Sequence, residues 1–286
     1  MTRVTPLPAV LTEPLVRAAL AEDLGRGGDV TSASVIPANA EARVAMTARG
    51  AGVICGLDLA KIAFKAIDPA LDVQQLKKDG DGVRKGDIVM KISGNARAIL
   101  SAERVALNFA GRLSGIATLT EKMARACGNH KARICDTRKT TPNLRVLEKY
   151  AVRCGGGMNH RFGLDDAILI KDNHIAVAGG IAPALQAAKQ HAGHTLKIEI
   201  EVDTLEQLKE VLAEGADIAL LDNMDIDDMK EAVKMADGKI LLEASGNVTL
   251  ERVPQIAATG VDMISSGALT HSAPNFDLGL DYEDAA

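Results

Sequence analysis

The apolar and polar rhythm of the chain changes about a third of the way along it. From Ala42 to Gly94, short apolar runs (Arg43–Ala48, Gly52–Cys55 and Ile88–Ile92) lie among Gly-rich turns and predict strands. An amphipathic stretch from Leu57 to Ile67 interrupts them with helical spacing. The turn Asp79-Gly-Asp-Gly-Val-Arg-Lys-Gly-Asp87 leads into the last run, as hairpins and small sandwiches require. Two helices are expected next, Ile99–Leu113 and Ile116–Cys127, separated by Ser114-Gly115. This pattern predicts an α+β domain up to roughly residue 110.

From Ala132 onward the order becomes strand, loop, helix, repeated. The strand-like runs are Arg133–Cys135, Ala167–Ile170, Leu196–Ile200, Ile218–Leu221, Ile240–Leu242 and Met263–Ser265. Helical patterns fill the gaps at Asn143–Arg153, Ala182–His191, Thr204–Glu214, Asp227–Met235 and Thr249–Ala258. Thr204 and Thr249 stand where N-caps belong, with Glu206 and Gln207 behind the first and Glu251 behind the second. Repeated βα units imply a parallel sheet, and strands taken in sequence order suggest a barrel.

Composition narrows the class. Of 286 residues 47% are hydrophobic, yet there is no Trp and only two Tyr and four Phe, so the core must be aliphatic. A net charge of −5 provides no global basic field, which argues against a nucleic-acid partner. Pro and charged residues break the apolar pattern of the first twenty positions, and no later window suits a membrane span. A cytoplasmic protein is expected. Cys55, Cys127, Cys135 and Cys154 form no CxxC pair and no ligand spacing, and read as buried or half-buried free thiols.

Chemistry concentrates where the barrel strands end, the rim that carries active sites in this architecture. The first strand runs into Asp136-Thr-Arg-Lys-Thr140, the second into Lys171-Asp-Asn-His174 and the third into Glu201. The fourth ends in Asp222-Asn223, the fifth in Glu243-Ala-Ser-Gly-Asn247 and the sixth in Ser265-Ser-Gly-Ala268. Arg138, Lys139 and Lys171 would share one mouth, with His160-Arg161 in a Gly-rich loop just before the second strand. So many cations would repel one another without a ligand carrying several negative charges. His160 and His174 are weaker signals, each equally readable as a structural histidine. The loops Ser245-Gly246-Asn247 and Ser266-Gly267-Ala268 occupy the last two strand–helix turns, where barrels often bind phosphate. Glu201 and Asp222 would balance charge, hold Mg²⁺, contact sugar hydroxyls or steady a developing cation. Phosphoribosyl pyrophosphate has phosphates at both ends and a centre that becomes cationic, and suits all three zones.

These residues resemble a known family. Thr137-Arg-Lys-Thr-Thr-Pro142, Gly155-Gly-Gly-Met-Asn-His-Arg161 and Leu169-Ile-Lys-Asp-Asn-His174 are similar to motifs of the quinolinate phosphoribosyltransferases, the decarboxylating nicotinate-nucleotide pyrophosphorylases. So are Ile198-Glu-Ile-Glu-Val202, Leu220-Leu-Asp-Asn-Met224, Leu242-Glu-Ala-Ser-Gly-Asn247 and Ser265-Ser-Gly267. Ala21-Glu-Asp-Leu-Gly25, Gly28-Asp-Val-Thr-Ser32 and Glu103-Arg-Val-Ala-Leu-Asn108 extend the likeness, which runs from about residue 15 to 270.

The resemblance implies an α/β fold, an N-terminal α/β sandwich followed by an incomplete parallel barrel of six to seven strands. Residues 1–113, joined by the tail 273–286, would form the sandwich and 114–272 the barrel. It implies transfer of phosphoribose to quinolinate with loss of CO₂, Mg²⁺ as cofactor, and a homodimer or higher assembly. Carried over by position, Arg104, Thr137, Arg138, Lys139, His160, Arg161, Lys171 and His174 would surround the substrates. Lys139, Lys171, Glu201 and Asp222 would be catalytic, and Glu201 and Asp222 the candidate Mg²⁺ contacts. Arg104 would reach across the dimer into the partner's site, and the two Ser-Gly loops would take the 5′-phosphate. Three rival readings are a lyase or aldolase with a Schiff base on Lys171, a homologue with another acceptor such as an accessory protein of metal-transport clusters, and a non-catalytic sensor of phosphoribosyl pyrophosphate.

Overall fold

The computed structural model describes residues 4–282, and the chain gathers into two units. One comprises Met1–Glu121, Val146–Gly156 and Ala273–Ala286, and the other Lys122–Arg145 and Gly157–Ser272. Of the tail at 273–286, residues 283–286 lie outside the described residues.

The first unit opens with α1 (Ala9–Leu24), which buries Thr12, Val16 and Leu20 at a spacing of four, and α2 (Val30–Val35), capped by Asp29 on the Ser32 N–H. Neither helix was expected. Strand β1 (Glu41–Ala48) follows, then β2 (Gly52–Val53) and α3 (Leu57–Ile67). Helix α3 buries Leu57, Ala60 and Phe64 on one stripe, matching the amphipathic stretch read from the sequence. Full burial of a side chain the size of Phe64 contributes about 1.5–3 kcal/mol. The unexpected strands β3 (Asp72–Gln75) and β4 (Gly82–Val83) precede β5 (Ile88–Asn95).

Ser114-Gly115 does not separate a pair of helices. It lies inside one, α4 (Ala96–Ala126), 31 residues long. The two residues are there for side-on contacts. The Ser114 hydroxyl accepts the Cys55 N–H at 2.8 Å and donates to the Cys55 carbonyl at 3.0 Å. One turn on, Thr118 Oγ1 accepts the Val53 N–H at 3.0 Å, so the helix face satisfies the backbone next to β2. A Cβ on Gly115 would stand 2.1 Å from the Pro274 carbonyl oxygen, and one on Gly111 2.9 Å from that of Phe276. Glycine here admits a neighbouring chain segment and leaves the helix intact.

The second unit is built on six parallel strands: β6 (Arg133–Cys135), β7 (Ile168–Ile170), β8 (Ile198–Val202), β9 (Ile218–Asp222), β10 (Leu241–Ser245) and β11 (Met263–Ser265). Between β6 and β7 lies α5 (Arg145–Cys154), which from Val146 onward belongs to the first unit, although its place in the sequence suggests a barrel helix. The remaining helices are α6 (Asp172–Ala178), α7 (Ile181–His191), α8 (Leu205–Glu214), α9 (Ile226–Ala236), α10 (Val253–Ala257) and α11 (Ala268–His271).

Strand order in the sheet is β6-β11-β10-β9-β8-β7. The last strand therefore returns beside the first, as in a closing barrel, while β6 and β7 share no ladder. A single parallel bridge, Cys135 to Met158, lies on the open side of β6, with Met158 N–H bonded to the Ile134 carbonyl. The architecture is mixed α/β with an incomplete barrel, as the sequence led one to expect. Among the described residues no helix is long and apolar enough to cross a membrane.

Thr204 caps α8 through a reciprocal pair with Gln207. Thr249 does not cap α10, which begins at Val253 with Pro254 in its first turn. A helix begun at Thr249 would carry Pro254 in its interior, where the missing N–H breaks the ladder. Finally β12 (Leu278–Tyr282) pairs antiparallel with β1, giving the first unit a four-stranded sheet in the order β12-β1-β5-β3.

Candidate active site

Residues two apart on a strand share a face. Leu169 with Lys171, Leu220 with Asp222, and Glu243 with Ser245 accordingly line one cavity of about 620 Å³ at the C-terminal ends of β7, β9 and β10. Glu201 at the end of β8 joins them, as do Thr137, Arg138 and Lys139 beyond β6 and His160 and Arg161 before β7. Every lining residue belongs to the second unit.

The cations are packed closely enough to disturb one another. Burial, and next the Arg138 guanidinium, lower the pKa of Arg161. The Arg161 side chain donates to the Ala167 carbonyl at 3.1 Å, and both Arg138 and Arg161 keep a buried Nε without a partner among the described residues. Buried donors of this kind cost free energy until a ligand meets them. Lys171 is paired with Glu201 at 2.5 Å. Asp222 accepts from the Asn223 side chain at 3.0 Å, and Asn223 in turn accepts from Asn247 at 3.0 Å. Gly246 sits at φ +90°, and a Cβ there would stand 2.2 Å from Asn223 Oδ1, so the turn over the cavity requires glycine.

Beneath the cations is a buried acidic floor. His160 Nδ1 accepts the Arg161 backbone N–H at 2.7 Å, so the ring hydrogen sits on Nε2. That nitrogen lies 2.8 Å from Glu199 and 3.7 Å from Glu243. Both ring nitrogens are thus directed at the protein. Asp136, fully buried, accepts the His160 N–H at 2.9 Å and the Asn159 side chain at 2.5 Å, and so fixes the loop. Burial, reinforced by the Glu199 carboxylate, pushes the Glu243 carboxyl up to about 7.

Two family models match the chain: the N-terminal domain of quinolinate phosphoribosyl transferase over residues 29–114, and its C-terminal domain over 116–281. The chain belongs to the quinolinate phosphoribosyltransferase family. Among curated relatives, a chloroplastic nicotinate-nucleotide pyrophosphorylase (carboxylating) of Arabidopsis thaliana is 45% identical, over 96% of this chain and 83% of its own length. A mitochondrial quinolinate phosphoribosyltransferase (decarboxylating) 2b of Nicotiana tabacum is 44% identical, over 96% and 82%. The solved nicotinate-nucleotide pyrophosphorylase of Francisella tularensis superposes with a TM-score of 0.94 at 40% identity, covering 99% of this chain and all of that one.

For this phosphoribosyltransferase-family chain, most residues singled out in the sequence line the one cavity. The exceptions are Arg104, His174, Gly267 and Ala268, together with Ser266, whose neighbour Ser265 is the lining residue of β11. Arg104 is exposed on α4 in the first unit. His174 turns back on its own helix, its Nδ1 accepting the Lys171 N–H at 2.9 Å to cap α6. Ser266 is buried, its N–H bonded to the Cys135 carbonyl at 3.0 Å, and Gly267 sits against Lys139 and His271. The helices after the two Ser-Gly loops have five and four residues, and the first starts at Val253, so neither offers the expected dipole to a phosphate. Glu199, Asn223, Glu243 and Ser265 are not among the candidate site residues read from the sequence. The available signal was Glu199 two residues before Glu201, an acid on the inward face of an apolar strand.

Proposed function

We propose that this chain transfers the phosphoribosyl group of phosphoribosyl pyrophosphate to quinolinate with decarboxylation, releasing nicotinate mononucleotide, pyrophosphate and CO₂ for NAD biosynthesis. The observation that carries this reading is the pair of neighbouring guanidiniums, Arg138 and Arg161, each with an unpartnered buried Nε in a cavity that two acids also line. A dicarboxylate meets the first need and an incipient ribosyl cation the second. The enzyme's work is to hold two polyanions together that repel each other in water.

In this reading Arg138, Arg161 and Lys139 take the carboxylates of quinolinate and the pyrophosphate, and the Ser245-Gly246-Asn247 turn takes the 5′-phosphate. Loss of pyrophosphate leaves C1 of the ribose with oxocarbenium character, opposite the fixed charges of Glu201 and Asp222. The pyridine nitrogen attacks and becomes cationic, and its positive charge then stabilises the electron pair left on the neighbouring ring carbon C2 as the carboxylate departs as CO₂. Glu201 and Asp222 supply hard oxygen donors, with Asp172 and Asp203 around the adjoining hollow, and this set suits Mg²⁺. The bound ion would neutralise charge on the leaving pyrophosphate.

Lys171 is held in an ion pair with Glu201 at 2.5 Å and its side chain is 45% exposed, unlike the desolvated pocket in which a Schiff-base lysine is activated. Release of ¹⁴CO₂ from carboxyl-labelled quinolinate is expected only with phosphoribosyl pyrophosphate present, one CO₂ for each pyrophosphate. Release without it, or none with it, would overturn the proposal.

The proposal includes a cytoplasmic location, consistent with four buried free thiols, and an isologous homodimer in which Arg104 serves the partner's site. Arg104→Ala and Lys171→Ala homodimers are each expected to be nearly inactive. In a mixed dimer the subunit with intact Lys171 receives an intact Arg104, so one site is whole. Random mixing makes half the dimers mixed, and co-refolding should recover about a quarter of wild-type activity. If Arg104 served its own chain, mixed dimers would recover nothing.

A further inference from the structure

The reaction needs a proton that none of the cationic residues is placed to keep. When the C2–carboxylate bond of the pyridinium breaks, CO₂ leaves and the electron pair stays on C2. A C2–H bond must form at the expense of an acid. Arg and Lys side chains that hold carboxylates are poor donors, since each would have to give up the charge that binds.

The acidic floor of the cavity has the required group. Glu243 is 2% exposed, lines the cavity and is carried on β10, at the centre of the parallel sheet. Ligand atoms of Glu243, Glu199 and His160 all lie within 4.8 Å of one another. His160 cannot neutralise both acids, because its Nδ1 is taken by the Arg161 N–H and its one ring hydrogen, on Nε2, points to Glu199. One oxygen of Glu199 and one of Glu243 have no hydrogen-bond partner among the described residues. Burial and the neighbouring Glu199 carboxylate push Glu243 towards its protonated form, although His160 and a hydrogen bond from Ser265 oppose them.

We propose that Glu243 is the acid that protonates C2 as CO₂ leaves, with His160 and Glu199 positioning it. The inference rests on the quinolinate reading of the same cavity. The step balances: the C2 electron pair takes the Glu243 proton, Glu243 becomes a carboxylate beside Glu199, and a solvent proton restores it before the next turnover. The groups facing Glu243 are Glu199 on β8, His160, Asp136 and Cys135 at the end of β6, and Ser265 on β11, and β9 presents Leu220. With burial they hold its pKa near 7, so the donor form is present below about pH 7 and lost above it.

The test is Glu243→Gln, which keeps the shape and removes the proton. Single-turnover release of pyrophosphate and of ¹⁴CO₂ are followed separately on the full-length protein. Pyrophosphate release is expected to stay within about twofold, while CO₂ release slows by about 10²-fold, the lower end of what a positioned general acid supplies. Glu243→Asp, which retains an acid, should release CO₂ faster than the Gln variant. Equal slowing of both products, or of neither, would overturn the inference. Should the Gln variant fail to fold, the wild-type protein decides: CO₂ release must fall above about pH 7 while pyrophosphate release does not. A wild-type protein releasing no CO₂ from quinolinate would remove the parent reading instead.

Discussion

Asp222→Asn and Glu201→Gln should each lower kcat by about 10²–10³, the cost of losing one preorganised electrostatic contact. Both acids line the cavity, from the ends of adjacent strands β9 and β8. Asp222 gives the cleaner measurement, because its side-chain partner is the neutral Asn223. Glu201→Gln also releases Lys171 from its ion pair, so its effect contains a second contribution from a newly unpaired cation. Quinolinate affinity, measured by calorimetry without phosphoribosyl pyrophosphate, should change much less in either variant. A large loss of that affinity with kcat intact would place the acids at the other substrate.

Nicotinate should be a very poor substitute for quinolinate. It lacks the carboxylate beside the ring nitrogen and would leave one cation of the Arg138–Arg161 cluster unmatched in a partly desolvated cavity. The penalty is roughly 2–5 kcal/mol, or about thirtyfold to several thousandfold in kcat/KM. Competition assays with both acids in one reaction measure the ratio directly. Comparable kcat/KM values would mean that the cluster exists for phosphate alone.

Much of the cavity was legible because strand ends are easy to find. An apolar run that stops at a charged residue marks the end of a parallel strand, and period-two alternation gives the inward face. The inner floor was harder. Glu199 lies within a strand that otherwise reads as core, and Glu243 was read as following a strand that ends at Leu242 where β10 runs on to Ser245; burial of such acids depends on long-range packing that local pattern does not encode. Ser266 was read as a loop residue where the last inward position is Ser265, a one-residue error that reverses the face. Ser114-Gly115 carries the usual signature of a break, yet both residues answer to segments far away in sequence. His174 follows a strand end and invites a ligand role, while its ring is spent on capping the helix it sits in.

The pairing of β12 with β1 has a bearing on biosynthesis. The outer strand of the first unit's sheet comes from residues 278–282, while its partner is laid down at 41–48. Residues 146–156, which carry most of α5 and are also needed by that unit, emerge only after β6 of the barrel. On the ribosome the early stretch of the chain cannot complete its own sheet, and β1 waits with an unpaired edge while the entire barrel is translated. Contacts of such sequence separation slow folding and leave strand edges open to other chains in the meantime. The order of synthesis and the order of assembly are therefore reversed here: the unit that begins first is finished last.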